Sequence, residues 1–449
     1  MEQKCYKFNY SQDIIQMQTR FAIDKRVVNI LFSVGFENGF EDEIMQLSID
    51  ALIQRNDCLR LKCVRREGET LQYFEKERHI GEIPSLSFET RGEFDAFLKR
   101  FRRRPTDLFK GRALEVVFIT DATGERLVLC KISHLAADTY GIGVLVNDLA
   151  AIYRHYSEGN ALPDAPASFE EILKKDSDYR GNAELVERDR AFFNDYYARR
   201  HRKAPLYCGL HGNGSDVWLK TKRKGGIAFT GFFLHCDTEG YHFVLPASLS
   251  AGAVEWCRNT SITLNAFFFY TCCIAASLLN DKAPHQIPLE LLNCRGSISD
   301  RKAAGTKVQS LSVYTTVNYA MSFKENISGF YAELNELYKH TKLSYLENDA
   351  LQHRLWGHPR MSQLTNFSFS FIPVAVPDGV SLRLYSNGKG ALAAYIALMH
   401  DIRTGEIHIN YDVQTRMTNP AQLIDFQNTY NHVIETVLAD CDSPLDIIL

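Results

Sequence analysis

The stretch that most constrains this chain is Arg126–Tyr156, RLVLCKISHLAADTYGIGVLVNDLAAIYRHY, where a strand pattern runs into a helix pattern. Leu127–Ser133 is an apolar run of strand length, and His134 closes it in phase with Val128, Cys130 and Ile132. Asp138 follows four residues on. Ile142, Leu145, Leu149, Ile152 and Tyr156 then recur at steps of three and four, which predicts a helix with one stripe toward a core. Gly141 and Gly143 mark a tight chain reversal, or a close approach by backbone or ligand.

The same two periods recur along the chain. Strands are expected at 27–34, 59–63, 71–74, 114–120 and 127–133, with helices at 41–55 and 93–102. Residues 183–200 form a long helix. Cys208–Gly226 is Gly-rich and basic without periodicity, the pattern of a linker or loop, placed at about 203–226. Beyond it come strands at 241–245, 287–292, 366–372, 391–400 and 406–413. Helices are expected from 247 and over 264–279, 329–343 and 420–438. Mixed strands and helices on both sides of one linker predict an α/β (α+β mixed) chain of two lobes, 1–170 and 171–449.

A length of 449 residues suits more than one domain. With 45% hydrophobic and 23% charged residues the chain has ordinary globular composition, and a formal net charge of −3 argues against a nucleic-acid partner. The apolar runs Ala266–Tyr270 and Cys272–Leu279 are too brief for a membrane span, and the N-terminus lacks the pattern of a secretory signal. Eleven cysteines with no C-x-x-C pair read as reduced, packed thiols, so a soluble cytoplasmic protein is expected. No phosphate loop, dinucleotide fingerprint or metal constellation is present, so neither a metal nor a resident cofactor is expected.

Imidazole exchanges protons near neutral pH without special tuning. A partly buried His134 at a strand end can stay neutral and serve as a general base; the plainer alternative is a core histidine satisfied by a backbone carbonyl. Asp138 can orient the histidine or brace the loop through an arginine, or it can simply cap the next helix. The pattern alone is weak, because His408-Ile409-Asn410-Tyr411-Asp412 also fits H-x-x-x-D within an amphipathic strand.

The setting of His134 resembles the condensation domains of nonribosomal peptide synthetases, within the chloramphenicol-acetyltransferase-like acyltransferases. Their His-His-x-x-x-Asp-Gly signature stands here as Ser133-His134-Leu135-Ala136-Ala137-Asp138-Thr139. The first His is Ser133 and the Gly is Thr139. Gln54–Arg60, Thr106–Phe109 and Asn293-Cys294-Arg295 are similar to further words of the family in order and spacing, and Gly405–Leu445 is similar to its usual close.

The resemblance implies two chloramphenicol-acetyltransferase-like lobes arranged as a V, with the active site at their interface and His134 as catalytic base or positioning residue. Asp138 pairs with an arginine in the family, and Arg295 is the candidate partner. Ser133, Thr139 and Gly141 are supporting positions. The implied reaction joins an acyl thioester, borne on the phosphopantetheine arm of an acyl or peptidyl carrier protein, to an amine or alcohol. A standalone domain is implied. The alternatives are an acyl-CoA-dependent O- or N-acyltransferase of the same fold and a catalytically inactive module that recruits carriers. The basic runs Lys99–Arg104 and Arg199–Lys203 read as solvated faces, or as docking surfaces for an acidic carrier.

Overall fold

The computed structural model describes residues 3–21, 24–200, 209–211, 236–358, 364–390 and 392–449. Its first elements are α1 (Tyr10–Phe21), β1 (Asn29–Phe36), α2 (Asp42–Arg55), β2 (Leu61–Arg66), β3 (Glu69–Phe74) and β4 (Ser85–Ser87). Next come α3 (Arg91–Phe101), β5 (Leu114–Thr120), β6 (Arg126–Ser133), α4 (Thr139–Glu158), α5 (Phe169–Gly181) and α6 (Ala183–Ala198). The middle of the chain forms β7 (Thr238–Val244), α7 (Ala247–Thr260), α8 (Leu264–Leu278), β8 (His285–Gln286), β9 (Leu289–Asn293) and the short α9 (Ile298–Arg301). Then follow β10 (Val308–Ser312), β11 (Thr315–Thr316), α10 (Phe323–Tyr338), α11 (Tyr345–Trp356), β12 (Ser368–Val374) and β13 (Val380–Tyr385). The chain closes with β14 (Ala394–Asp401), β15 (Ile407–Gln414), α12 (Pro420–Ala439) and α13 (Leu445–Ile448).

Two compact units result. The first comprises 1–182, 293–308 and 374–387; the second comprises 183–292, 309–373 and 388–449. The change of unit therefore falls at 182/183, where one falling at 170/171 would divide α5. Two later segments also join the first unit, because Arg295 is held by Asp138 and β13 is zipped to β1. Residues 201–208 and 212–235, which hold nearly all of the expected linker and residues 201–203 of the second basic run, lie outside the described residues.

In the first unit the sheet order is β13-β1-β6-β5-β4, antiparallel except for the β4–β5 pair. Strand β6 is buried along nearly all its length, as its unbroken apolar run requires. α2 packs on α4, where Arg55 on α2 meets the buried Asp148 carboxylate at 2.9 Å. Asn56 joins the same carboxylate, and Asp57 accepts from the backbone at the start of α5. The 54–60 word thus secures helices.

In the second unit the order is β10-β9-β12-β14-β15-β7. Residues 266–277 of α8 are all buried, which explains why that helix is apolar on every side. Among the described residues no single helix is long and apolar enough to cross a membrane; α7 and α8 pass only as a pair, and that pair is bent by 116°. The α12 stripe Leu423, Phe426, Tyr430, Val433 and Val437 is buried as its spacing predicts. The helix expected at 329–343 starts earlier, at Phe323, under a capping box of Ser322 and Glu325.

Candidate active site

Strand β6 delivers the site. Asn29 on β1 pairs with Ser133, and one step later the His134 N–H donates to the Val28 carbonyl at 2.8 Å. The chain then turns: the N–H groups of Ala136 and Ala137 both donate to the Ser133 carbonyl. Ser133 is buried, and its own N–H donates to the Ala113 carbonyl at 2.9 Å. Its hydroxyl accepts a long bond from the Leu135 N–H at 3.4 Å, a contact that supplies no base to activate it as a nucleophile.

Asp138 fills two of the three roles read from the sequence, the helix cap and the brace through an arginine, and makes no hydrogen bond to the His134 ring. It is the N-cap of α4, its Oδ1 accepting from the Gly141 N–H at 2.8 Å. Its Oδ2 accepts from Arg295 Nη1 at 2.9 Å and from the Lys307 N–H at 2.7 Å. Arg295 is buried as well. Its Nη1 also donates to Asn293 Oδ1 at 3.0 Å, its Nη2 donates to the Gly305 carbonyl, and its guanidinium lies 4.8 Å from the centroid of the Tyr140 ring.

Gly141 and Gly143 do not reverse the chain, because α4 is already under way at Thr139. Gly141 is instead a point of close backbone approach: a Cβ there would lie 1.8 Å from the Ala304 carbonyl oxygen. Gly143 has open space around it. Thr139 opens α4 with no left-handed backbone angle, so the position that holds Gly in the resembled signature is unstrained here.

The His134 ring is partly buried, with Nδ1 fully enclosed and without a hydrogen-bond partner. Burial holds its pKa below the ordinary imidazole value; the Asp138 charge and the carbonyls of His134 and Ala137 pull the other way. The site therefore presents a neutral imidazole at pH 7, on a turn braced by a buried ion pair.

Four polar residues around this turn went unread in the sequence. Thr306 Oγ1 donates to the His134 carbonyl at 2.5 Å, and Gln12 Nε2 donates to the Leu135 carbonyl at 2.7 Å. Asn9 Nδ2 donates to the Thr306 carbonyl at 2.9 Å, and Gln72 pairs with Gln12. The available signal was Asn9-x-x-Gln12, a helix-start box ahead of α1. The cavity of about 410 Å³ between α6 and α11, lined by Arg190, Glu347, His353 and Arg354, belongs to the second unit and contains none of these residues.

Residues 2–207 match the family model of the condensation domain. That stretch, somewhat under half of the chain, is similar to condensation domains. A plipastatin synthase of Bacillus subtilis is 20% identical over 451 residues, covering 98% of this chain and 16% of that protein. A linear gramicidin synthase of Brevibacillus parabrevis is 26% identical over 162 residues, covering 34% of this chain and 3% of that protein. The chain thus spans a small part of the length of the curated relatives it matches. Its fold matches the starter condensation domain of rhizomide synthetase, solved as a variant with C8-CoA, with TM-score 0.80 and 15% identity; the match covers 99% of this chain and 98% of that one. The first condensation domain of the calcium-dependent antibiotic synthetase, solved with a substrate analogue, gives TM-score 0.81 and 14% identity over 99% of both chains. Condensation domains form amide bonds by acyl transfer from carrier-bound phosphopantetheine thioesters.

Proposed function

We propose that this chain joins a carrier-borne acyl thioester to an amine, with an alcohol as the second class of acceptor. The observation that carries this reading is the neutral His134 imidazole on a turn pinned by the Asp138–Arg295 pair. The acceptor nitrogen attacks the thioester carbonyl carbon, and the carbonyl π pair moves to oxygen. As that pair returns, the C–S bond breaks and its electrons leave on sulfur. His134 takes the proton from the attacking nitrogen and delivers it to the thiolate, so the imidazole ends neutral. A placed histidine contributes roughly 10²–10⁴ in rate by such transfer, and holding two tethered reactants together contributes at least as much. Asp138 acts through structure, since both its oxygens are engaged by Gly141, Arg295 and Lys307.

The donor partner fits the basic run. Lys99, Arg100, Arg103 and Arg104 are exposed and have no ion-pair partner among the described residues. Asn29 binds the Arg104 carbonyl and is also the register partner of Ser133, so this run borders the end of β6. Unneutralised cations there favour an acidic carrier surface.

The deciding experiment offers acyl-loaded carriers and the matching acyl-CoA thioesters with pools of amines and alcohols, using wild type and His134→Ala. Product from carriers that needs His134 supports the reading. Discharge from CoA alone makes the protein a small-molecule acyltransferase. Carrier binding without product from any pool makes it a recruitment module.

A further inference from the structure

Buried main-chain groups need partners, so the turn after β6 can be accounted for atom by atom. The N–H groups of His134, Ala136 and Ala137 and the carbonyl of Ser133 are served by the backbone. Among the described residues, no main-chain N–H reaches the carbonyls of His134 and Leu135. A side chain serves each one: Thr306 Oγ1 at 2.5 Å and Gln12 Nε2 at 2.7 Å.

Both donors are themselves locked. Thr306, Gln12 and Gln72 are wholly buried, and Asn9 nearly so. Gln12 Oε1 accepts from the Asn9 backbone N–H at 3.1 Å, a group that can only donate. That contact identifies the oxygen end of the Gln12 amide and leaves Nε2 facing the Leu135 carbonyl. The remaining Gln12 bonds are a reciprocal pair with Gln72 at 2.7 and 2.8 Å. Thr306 is tied in turn through its own carbonyl, which accepts from Asn9 Nδ2 at 2.9 Å. One connected network therefore grips two successive peptide planes after His134.

We infer that Thr306 and Gln12 are positioning residues, which fix the His134 ring by holding the carbonyls of His134 and Leu135. The plane before His134 is held by its own N–H on the Val28 carbonyl and by the bonded Ser133 carbonyl, so once Thr306 holds the plane after it the backbone angles at His134 are fixed, and they restrict which rotamers its ring can take. The His134 carbonyl held by Thr306 is also one of the two that favour the protonated ring. Thr306 thus sets both where the imidazole points and one of the groups that polarise it. The catalytic consequence rests on His134 being the proton acceptor proposed above; the positioning itself does not.

The test uses the full chain with Thr306→Val, Thr306→Ser and Gln12→Met. The imidazole of His134 is followed by NMR titration of histidine-labelled protein and assigned by its loss in His134→Gln. Carrier discharge is measured alongside. Removing the Thr306 hydroxyl frees the His134 carbonyl and loosens the turn, and both changes raise the titration midpoint toward the ordinary imidazole value. In Thr306→Val the midpoint is expected to rise and kcat to fall about 10- to 100-fold with KM unchanged. Thr306→Ser is expected to restore both, and Gln12→Met to follow the valine variant. Wild-type titration in both Thr306→Val and Gln12→Met overturns the inference, and so does a serine variant that behaves like valine. If the valine variant does not fold, Gln12→Met decides. The NMR arm needs no substrate, so a wild type without turnover would remove the proposed function and leave this inference still decided.

Discussion

Arg295 Nη1 lies 2.9 Å from Asp138 Oδ2, with the arginine side chain wholly buried and the aspartate side chain 5% exposed. Removing one member strands the other charge in a place where water does not reach. Asp138→Ala and Arg295→Ala are each expected to cost about 3–5 kcal/mol in urea unfolding. The double variant should cost less than the sum of the two, by about 0.5–3 kcal/mol. Simple additivity would show that the pair does not act as a unit.

Burial depresses His134, which fixes the sign of its pH dependence. As pH falls through 6.5 the unfolded chain takes up the proton first, so the native state loses stability on the acid side. The acid limb of the rate profile should lie below 6.5, and His134→Gln should flatten the stability loss between pH 7 and 5. A limb at or above 6.5 would refute this.

Gly141→Ala places a methyl group where the Ala304 carbonyl already lies, and neither backbone can yield cheaply. A loss of about 1–3 kcal/mol or more is expected, with weakened Asp138 capping. Gly143→Ala, in open space on the same helix, serves as the control and should be neutral or slightly stabilising. Equal midpoints in thermal melts would contradict the proposed contact.

In the second unit, Glu290 Oε1 accepts from Asn265 Nδ2 at 2.8 Å and from the Tyr338 hydroxyl at 2.6 Å, while Oε2 is buried without a partner. Burial pushes its carboxyl up to about 7, against those two hydrogen bonds. The folded state then keeps a proton that the unfolded state releases near 4.5, so stability declines as pH rises from 4.5 through 7. Glu290→Gln should remove that slope and gain on the order of 1–3 kcal/mol at pH 8. An unchanged slope would mean that Glu290 is ionised throughout.

The paired reversal Arg100→Glu and Arg103→Glu should lower kcat/KM about tenfold for a carrier-borne donor at low salt. A small pantetheine thioester should be unaffected, and high salt should shrink the difference. Equal losses with both donors would remove carrier docking from this face.

The sequence exposed the site best where one residue had to meet a local rule. The β6 run, the α4 stripe from Ile142 to Ile152 and the capping preference of Asp138 are all short-range patterns, and each is present, whereas Tyr156 at the end of the expected stripe is exposed. Arg295 was reachable only through the family resemblance, because nothing near Asn293 announces a partner 157 positions away. Gln12 was marked only as part of a helix-start box, and Thr306 not at all: a hydroxyl or amide that serves a distant carbonyl looks like any other polar residue. β13 was missed because Val380–Tyr385 has partly exposed side chains and no clean alternation. Of the two readings offered for the α4 glycines, close backbone approach holds at Gly141 and neither holds at Gly143, since a glycine needed for close packing reads the same as one needed for a turn.

That β13 reaches back to β1 has a consequence for synthesis. The strand that completes the first sheet is translated roughly 250 residues after His134, a delay of about 10–50 s at ordinary elongation rates. Until then β1 presents a bare edge, and until Arg295 emerges Asp138 has no counter-charge. A nascent chain halted near residue 207 would hold every residue of the signature and still lack both. Ribosome-bound intermediates of this protein are thus candidates for chaperone capture, and a gene cut at that point should yield an aggregating fragment.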